Sequence, residues 1–303
     1  MTTLSASRYQ TALRLLRITV FCLLAGRAWQ HLFWDAPYRT FLWSQEYLSW
    51  FVEGWLGMTW QAYATSPRTD AFIQGLIRAT GVWYALVAVL SLAAPTSQRW
   101  RKPVSVVLWM TSVMLFLLGM LYMKEKHFQL GQLFEYSAQF GAPALLAWFL
   151  YRPVQERRAL LVIKILVALT FLCHGLYAYG YYPRPGGFVD MVINILGVEE
   201  NTAHKFLVMA GVLDFVVIVL VFIPDTAKVA LWYMVVWGTL TSLARVVAHI
   251  DFRFFASTLD QWWWETVMRA PHALLPLLAA YLQFGWPRLR RKTPVKEAQA
   301  AGQ

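Results

Sequence analysis

The chain has 303 residues, of which 58% are hydrophobic and 14% are charged, and its formal net charge is +11 at pH 7. Soluble domains contain about 45–50% apolar and about 25% charged residues, so this composition excludes an ordinary soluble globule and indicates a membrane protein. The positive charge does not indicate a nucleic-acid partner, because the cations lie mainly between and beyond apolar segments, as membrane topology requires.

Eight membrane-spanning segments are predicted along the chain, since a helix needs about 20 apolar residues to cross a bilayer. They cover residues 12–33, 71–94, 103–123, 137–151, 160–182, 203–223, 227–248 and 267–285. The first is interpreted as a span and not as a cleaved signal peptide. Arg27, Gln30 and His31 stand where a signal peptide would have its small-residue cleavage site.

The distribution of lysine and arginine predicts the orientation. Basic residues concentrate before the first segment, in residues 99–102 and 152–158, and in a tail at 288–303. With eight segments, these four regions lie on the same side of the membrane. The positive-inside rule therefore predicts that both termini are cytoplasmic.

The second half of the chain repeats the pattern of the first. GVWYALVAVLSLAAP at 81–95 aligns with GVLDFVVIVLVFIP at 211–224, VVLW at 106–109 with VALW at 229–232, and GAPALLAWFLY at 141–151 with RAPHALLPLLAAY at 269–281. In the last alignment, His272 is an inserted residue of the second copy. The shared order predicts an internal duplication of a four-helix unit.

The duplication divides the chain into two predicted repeats, residues 1–158 and 159–287, followed by the basic tail 288–303. Because each repeat has an even number of spans, the two copies should enter the membrane from the same side, as parallel repeats do. WFVEGWLGMTWQAYATS at 50–66 and FVDMVINILG at 188–197 are predicted to be amphipathic helices in the outer interface. The expected fold is therefore an all-α integral membrane protein.

Ionisable residues cluster toward the predicted outer ends of the spans. Arg27, Gln30 and His31 are spaced i, i+3, i+4, so they share one helical face, and the same holds for Arg245 with His249. Ionisable groups within a membrane are costly and should face the bundle interior. The residues predicted for a catalytic site are His174, Asp214, Arg245, His249, Arg269 and His272, and those predicted for cofactor binding are Arg27, His31 and Glu265.

Each of these residues also has a structural interpretation. The arginines could form ion pairs or extend to lipid headgroups, and the histidines could simply donate hydrogen bonds across helices. Asp214 lies near the middle of its span and is expected to pair with Arg245 or Arg27. Because no HxxxH pair or Cys/His cluster is present, we predict no metal site, and haem is a less favoured cofactor.

The segments AGRAWQHL at 25–32 and CHGLYAYG at 173–180, the latter followed by a proline- and glycine-rich loop, resemble the DoxX-like family of bacterial membrane proteins. The chain is similar to two such four-helix units fused. The family includes the membrane subunit of thiosulfate:quinone oxidoreductase. The resemblance implies a quinone-linked redox role in the bacterial inner membrane, and it assigns no catalytic residue.

Two functions remain open at the level of sequence. The first is a quinone-dependent oxidoreductase or its membrane subunit, in which histidines would exchange protons with the quinone and arginines would hold a small anion. The second is a non-catalytic protein that binds or carries a lipid or small solute, or a scaffold for an extracytoplasmic partner subunit. Both predict the lipid bilayer as a partner.

Overall fold

The computed structural model describes residues 4–93, 97–151 and 154–286, and every regular element in these ranges is helical. Fourteen α-helices are described: α1 (Ala6–Phe33), α2 (Arg39–Leu42), α3 (Gln45–Gly54), α4 (Trp60–Ala64), α5 (Pro67–Ala93), α6 (Gln98–Glu125), α7 (Leu130–Glu135), α8 (Ser137–Tyr151), α9 (Glu156–Tyr179), α10 (Gly186–Leu196), α11 (Glu200–Leu220), α12 (Ala227–Val247), α13 (Phe255–Val267) and α14 (Pro271–Phe284). A short 3-10 helix, Phe252–Phe254, precedes α13.

Five helices are long and apolar enough to cross a membrane: α5, α6, α9, α11 and α12. The protein is thus a polytopic, all-helical membrane protein by the length and composition of its helices. Each of the eight predicted segments coincides with a helix, but three of those helices do not meet both conditions. Helix α1 has 28 residues but carries four arginines, and α8 and α14 have only 15 and 14 residues.

The short length of α8 and α14 has a local cause. Each is preceded by a separate helix, α7 or α13, which ends in a turn before the longer helix begins. Pro271 starts α14, a position where its missing N–H costs nothing. The chain at 267–270, predicted as part of the last span, therefore belongs to the end of α13 and the turn after it.

The helices pack in the same order in both halves of the chain. In the first half α1 packs on α5 and α6 packs on α8, and in the second half α9 packs on α11 and α12 packs on α14. Helices α7 and α13 each pack on a helix of the other half of the chain: α7 packs on α9, and α13 packs on α1. Helix α9 begins at Glu156, so the predicted boundary at 158/159 falls in its first turn. The predicted basic tail, 288–303, and residue 94 lie outside the described residues.

Glycine permits the closest helix crossings. A Cβ at Gly211 of α11 would lie 2.8 Å from the carbonyl oxygen of Gly175 on α9, and one at Gly238 of α12 would lie 2.4 Å from the carbonyl oxygen of His272 on α14. Because both neighbours are backbone atoms, any larger residue would separate the helices. These crossings determine how closely α9, α11, α12 and α14 surround the space between them.

Candidate functional site

A cavity of about 460 Å³ lies in the second half of the chain. It is enclosed by α9, α11, α12 and α14, and α10 contributes a further wall. Most of its surface is apolar, with Phe171, Met191, Phe206, Leu207 and Trp237 among the residues that line it. An apolar cavity with a few convergent polar groups is the usual form of a small-molecule site.

Five of the predicted site residues line this cavity: His174, Asp214, Arg245, Arg269 and His272. They are distant in the sequence but lie on helices that meet here. Arg245 is in the last turn of α12 and Arg269 lies two residues before the start of α14, so both arginines lie at the same end of the helix bundle. The structure therefore brings together most of the residues predicted for the site.

The two histidines contact each other edge to face. Their ring centroids are 5.3 Å apart with an interplanar angle of 86°. The ring of His174 is also nearly parallel to that of Phe188, at 6.3 Å. Nδ1 of His272 lies 2.9 Å from the carbonyl oxygen of Arg269. A carbonyl can only accept, so Nδ1 is the protonated nitrogen and Nε2 of a neutral His272 is free to accept a hydrogen bond.

The two arginines share one carboxylate. Glu265 Oε2 lies 3.2 Å from a terminal nitrogen of Arg269 and 3.5 Å from one of Arg245. Arg245 also lies over the ring of Phe188, 5.7 Å from its centroid. Glu265 thus holds both guanidinium groups at the edge of the cavity.

Asp214 is buried, with 2% of its surface exposed, and accepts a long hydrogen bond of 3.4 Å from the hydroxyl of Tyr233. The ion pair predicted for it with Arg245 or Arg27 is not present among the described residues. Asp214 contacts Tyr233, and Tyr233 and Arg245 are twelve residues apart on α12, or about 18 Å along the helix axis. Asp214 therefore cannot contact both residues.

Arg27 lies in a separate polar cluster in the first half of the chain. It is completely buried, and its terminal nitrogens donate to the side-chain oxygens of Gln139 and Gln30, each at 2.7 Å. Its guanidinium also lies over the rings of Tyr136 and Tyr122, at 5.0 Å and 5.6 Å from the centroids. Amide oxygens and aromatic faces therefore hold this cation, and it does not line the cavity.

His31 belongs to the same cluster as Arg27. Its Nδ1 donates to the carbonyl oxygen of Arg27 at 2.7 Å, and its ring meets that of Tyr84 edge to face at 5.1 Å. The hydroxyl of Tyr84 is buried and has no hydrogen-bond partner among the residues that the structure describes. The structure thus does not bring the predicted cofactor-binding residues Arg27 and His31 to the cavity.

His249 lies outside the cavity as well. Its ring stacks on Trp262 at 3.7 Å, and its Nδ1 is 2.8 Å from the carbonyl oxygen of Arg245. Beyond the end of α12, hydrogen bonds from Arg253 lower the pKa of Asp251 in an exposed pair. These polar residues cover the end of the helix without facing the site.

The structure adds Glu135 to the site, a residue that the sequence analysis did not select. Its Oε1 is 3.4 Å from Nε2 of His174. Glu135 lies between the third and fourth predicted spans, outside the segments from which the site residues were predicted. The spacing of Gln129, Gln132 and Glu135 at i, i+3 and i+6 was the available signal, since it places three polar groups on one face of a short helix.

Within the described ranges, no group of three His, Cys, Asp or Glu residues is arranged to hold a metal ion. Both cysteines, Cys22 and Cys173, are free thiols. Comparisons of the chain with protein-family models, with curated proteins and with solved structures find no match.

Proposed function

We propose that the protein binds a quinone-type molecule from the lipid phase, as a quinone-linked oxidoreductase or the membrane subunit of one. The observation that carries this proposal is the division of the cavity into apolar walls and one cluster of imidazole and guanidinium groups. A quinone is divided in the same way: its ring carries two oxygens that accept hydrogen bonds, which suits the polar cluster, and its chain is apolar, which suits the walls. His174, Arg245 and Arg269 are the groups that would donate to the ring oxygens, and Nε2 of His272 could accept from a quinol hydroxyl.

The size and opening of the cavity support a lipophilic ligand. A volume of about 460 Å³ falls within the range of about 300–1,000 Å³ for small-molecule sites. Leu240, Leu243 and Val247 of α12 line the cavity, yet they are 53%, 45% and 55% exposed. On a helix that can cross a membrane, such apolar exposure is to lipid, so a ligand can enter sideways from the bilayer.

The charges at the site favour a neutral polar group on the ligand. At the arginine end of the cavity, away from Asp214, the cations Arg245 and Arg269 are balanced by the carboxylates Glu265 and Glu135 when the imidazoles are neutral. A phospholipid headgroup would add unbalanced charge in a poorly hydrated place. A small anion, the second partner considered from the sequence, would have to compete with Glu265 for the arginines.

The proposal includes the full predicted architecture: two DoxX-like units in tandem, eight crossings and cytoplasmic termini in a bacterial inner membrane. The equivalent packing of α1–α5 with α9–α11 and of α6–α8 with α12–α14 supports two parallel repeats. In that orientation the arginine end of the cavity is extracytoplasmic. Helices α8 and α14 would cross as the thinnest parts of the bundle, at about 22 Å and 21 Å.

The proposed function is tested by the quinone content of purified protein and of two tryptophan variants. Ala244→Trp places an indole in the cavity, whereas Val236→Trp places one on the lipid-facing surface of the same helix. We expect organic extracts of the wild type and of Val236→Trp to contain quinone, and the extract of Ala244→Trp to contain at least about tenfold less, a loss of about 1.4 kcal/mol in binding. A wild type that carries no quinone and binds no added decylubiquinone would refute the proposal.

The alternative is a non-catalytic protein that binds or carries a neutral lipid. The lateral opening at Leu240, Leu243 and Val247 favours it as much as it favours a quinone. The same extracts decide between the two. A bound lipid in place of a quinone, displaced by Ala244→Trp, would support the alternative.

A further inference from the structure

A row of polar side chains leads from the protein surface to the cavity. Gln129, which caps the start of α7, and Gln132 and Glu135 within α7 recur every three residues along one side of the helix, and all three are partly exposed. Gln132 donates to Glu135 Oε2 at 3.1 Å, and Gln129 accepts from the hydroxyl of Tyr177 at 3.0 Å. Helix α7 belongs to the first half of the chain but packs on α9 of the second half, so this row ends at His174.

His174 separates Glu135 from the cavity. Its Nε2 is fully buried, 3.4 Å from Glu135 Oε1, and the two atoms are not aligned as a hydrogen bond. The side chain nevertheless keeps 17% of its surface exposed and lines the cavity. The exposed part of the ring therefore excludes Nε2, which leaves Nδ1 as the ring nitrogen that a bound molecule can reach. Contacts of this kind are often long in a free enzyme and shorten when the ligand binds.

We propose that Glu135 and His174 form a proton relay between the extracytoplasmic solvent and the ligand cavity. This inference rests on the proposed function. His174 gives the proton on Nδ1 to a ligand oxygen that gains negative charge, and its Nε2 takes a proton from Glu135. Glu135, a carboxylate at rest, obtains that proton from solvent along α7 and is a carboxylate again once it has passed it on, and exchange between the ring tautomers restores the starting state. Glu135 acts through His174 and is a positioning and proton-exchange residue.

Other titratable groups face this pair from every neighbouring helix. They are Cys173 and Tyr177 on α9, Tyr136 after α7 with Tyr122 of α6 stacked on it, Asp214 on α11, Arg245 on α12, Glu265 on α13, and Arg269 and His272 beside or on α14. Among these acids, Glu265 is held by two arginines and Asp214 is buried beside Tyr233. Glu135 is the carboxylate that combines contact with His174 and partial exposure.

The test uses the intact chain loaded with decylubiquinone and freed of unbound quinone. Dithionite supplies the electrons in a stopped-flow experiment: one dithionite ion and two water molecules convert the quinone to quinol and yield two bisulfite ions. The decrease in absorbance of the oxidised ring gives the rate over a range of pH. The variants are Glu135→Gln, Glu135→Asp and the control Glu125→Gln, which changes an exposed glutamate at the end of α6.

We expect Glu135→Gln to retain bound decylubiquinone. At neutral pH, dithionite should reduce this quinone at least about tenfold more slowly than in the wild type, since a positioned acid–base group contributes about 10²–10⁴-fold to a rate. The rate in this variant should also depend less on pH. Glu135→Asp should keep a pH-dependent rate, and Glu125→Gln should match the wild type. In the wild type, the reduction should also be slower in D₂O than in H₂O, because a proton is transferred in the rate-determining step.

Two results would overturn the relay alone. One is retention of decylubiquinone by Glu135→Gln with the rate and pH profile of the wild type. The other is a wild-type rate that is the same in D₂O and H₂O, which stays decisive if the glutamine variant does not fold. Failure of the wild type to retain decylubiquinone would overturn the proposed function and the relay with it.

Discussion

Substitution of Gly238 by alanine tests whether the crossing of α12 and α14 determines the shape of the cavity. In an open helix, glycine to alanine stabilises by about 0.8–1.0 kcal/mol. Here the new Cβ would lie 2.4 Å from the carbonyl oxygen and 2.8 Å from the carbonyl carbon of His272, whereas ordinary contact begins at 3.4 Å. The helices must separate by roughly 1 Å, and overpacking of this kind costs about 1–3 kcal/mol.

The cost should exceed the gain, because the obstructing atoms are backbone and cannot rotate away. We expect Gly238→Ala to lower the midpoint of thermal unfolding in detergent by several degrees, at about 2–4 °C per kcal/mol, and to reduce bound quinone because His272 moves. The matched control is Gly75→Ala on α5, where a Cβ meets nothing within 4 Å and the midpoint should stay or rise. Equal stability and quinone content in the two variants would refute this description of the crossing.

Two further substitutions test the buried polar groups. Arg27→Lys should lower the free energy of unfolding by about 1–3 kcal/mol, because a single ammonium cannot satisfy both Gln30 and Gln139. Arg78→Lys, at an exposed position of α5, should leave the free energy of unfolding unchanged. Equal effects of the two substitutions would contradict the role of the guanidinium. Asp214→Asn should be as stable as the wild type or more so, because the amide can still accept from Tyr233 without the cost of a buried charge. In a thermal double-mutant cycle its effect should add to that of Arg245→Gln within about 0.5 kcal/mol, and a larger coupling would indicate the ion pair that the structure lacks.

The sequence predicted the helical membrane class and the helix positions well, because apolar runs of about 20 residues have few other uses. It predicted less well how far each helix extends across the membrane. The run at 267–285 reads as one apolar segment, yet the chain turns before Pro271 and a separate helix, α13, ends there. A hydropathy pattern alone cannot distinguish a straight helix from two helices joined by a tight turn.

The candidate site was predicted in part for a similar reason. Spacing placed His174, Arg245, Arg269 and His272 near one end of the bundle, and these residues do share the cavity. Spacing could not show that Arg27 faces Gln139 instead, because that depends on which helices are neighbours. Glu135 was missed because its helix packs across the boundary between halves, a contact that no pattern within either half records.

The crossed packing of α7 and α13 has a consequence for biogenesis. Gly26 of α1 accommodates the backbone of Trp264 and Met268, so α1 lacks its neighbours α13 and α14 until nearly all of the described chain has been synthesised. During that interval the buried guanidinium of α1 and its polar partners lie in a helix bundle that is not yet fully packed. Truncation before α13 should therefore leave a product that cellular quality control recognises, even though every helix of the first half is present.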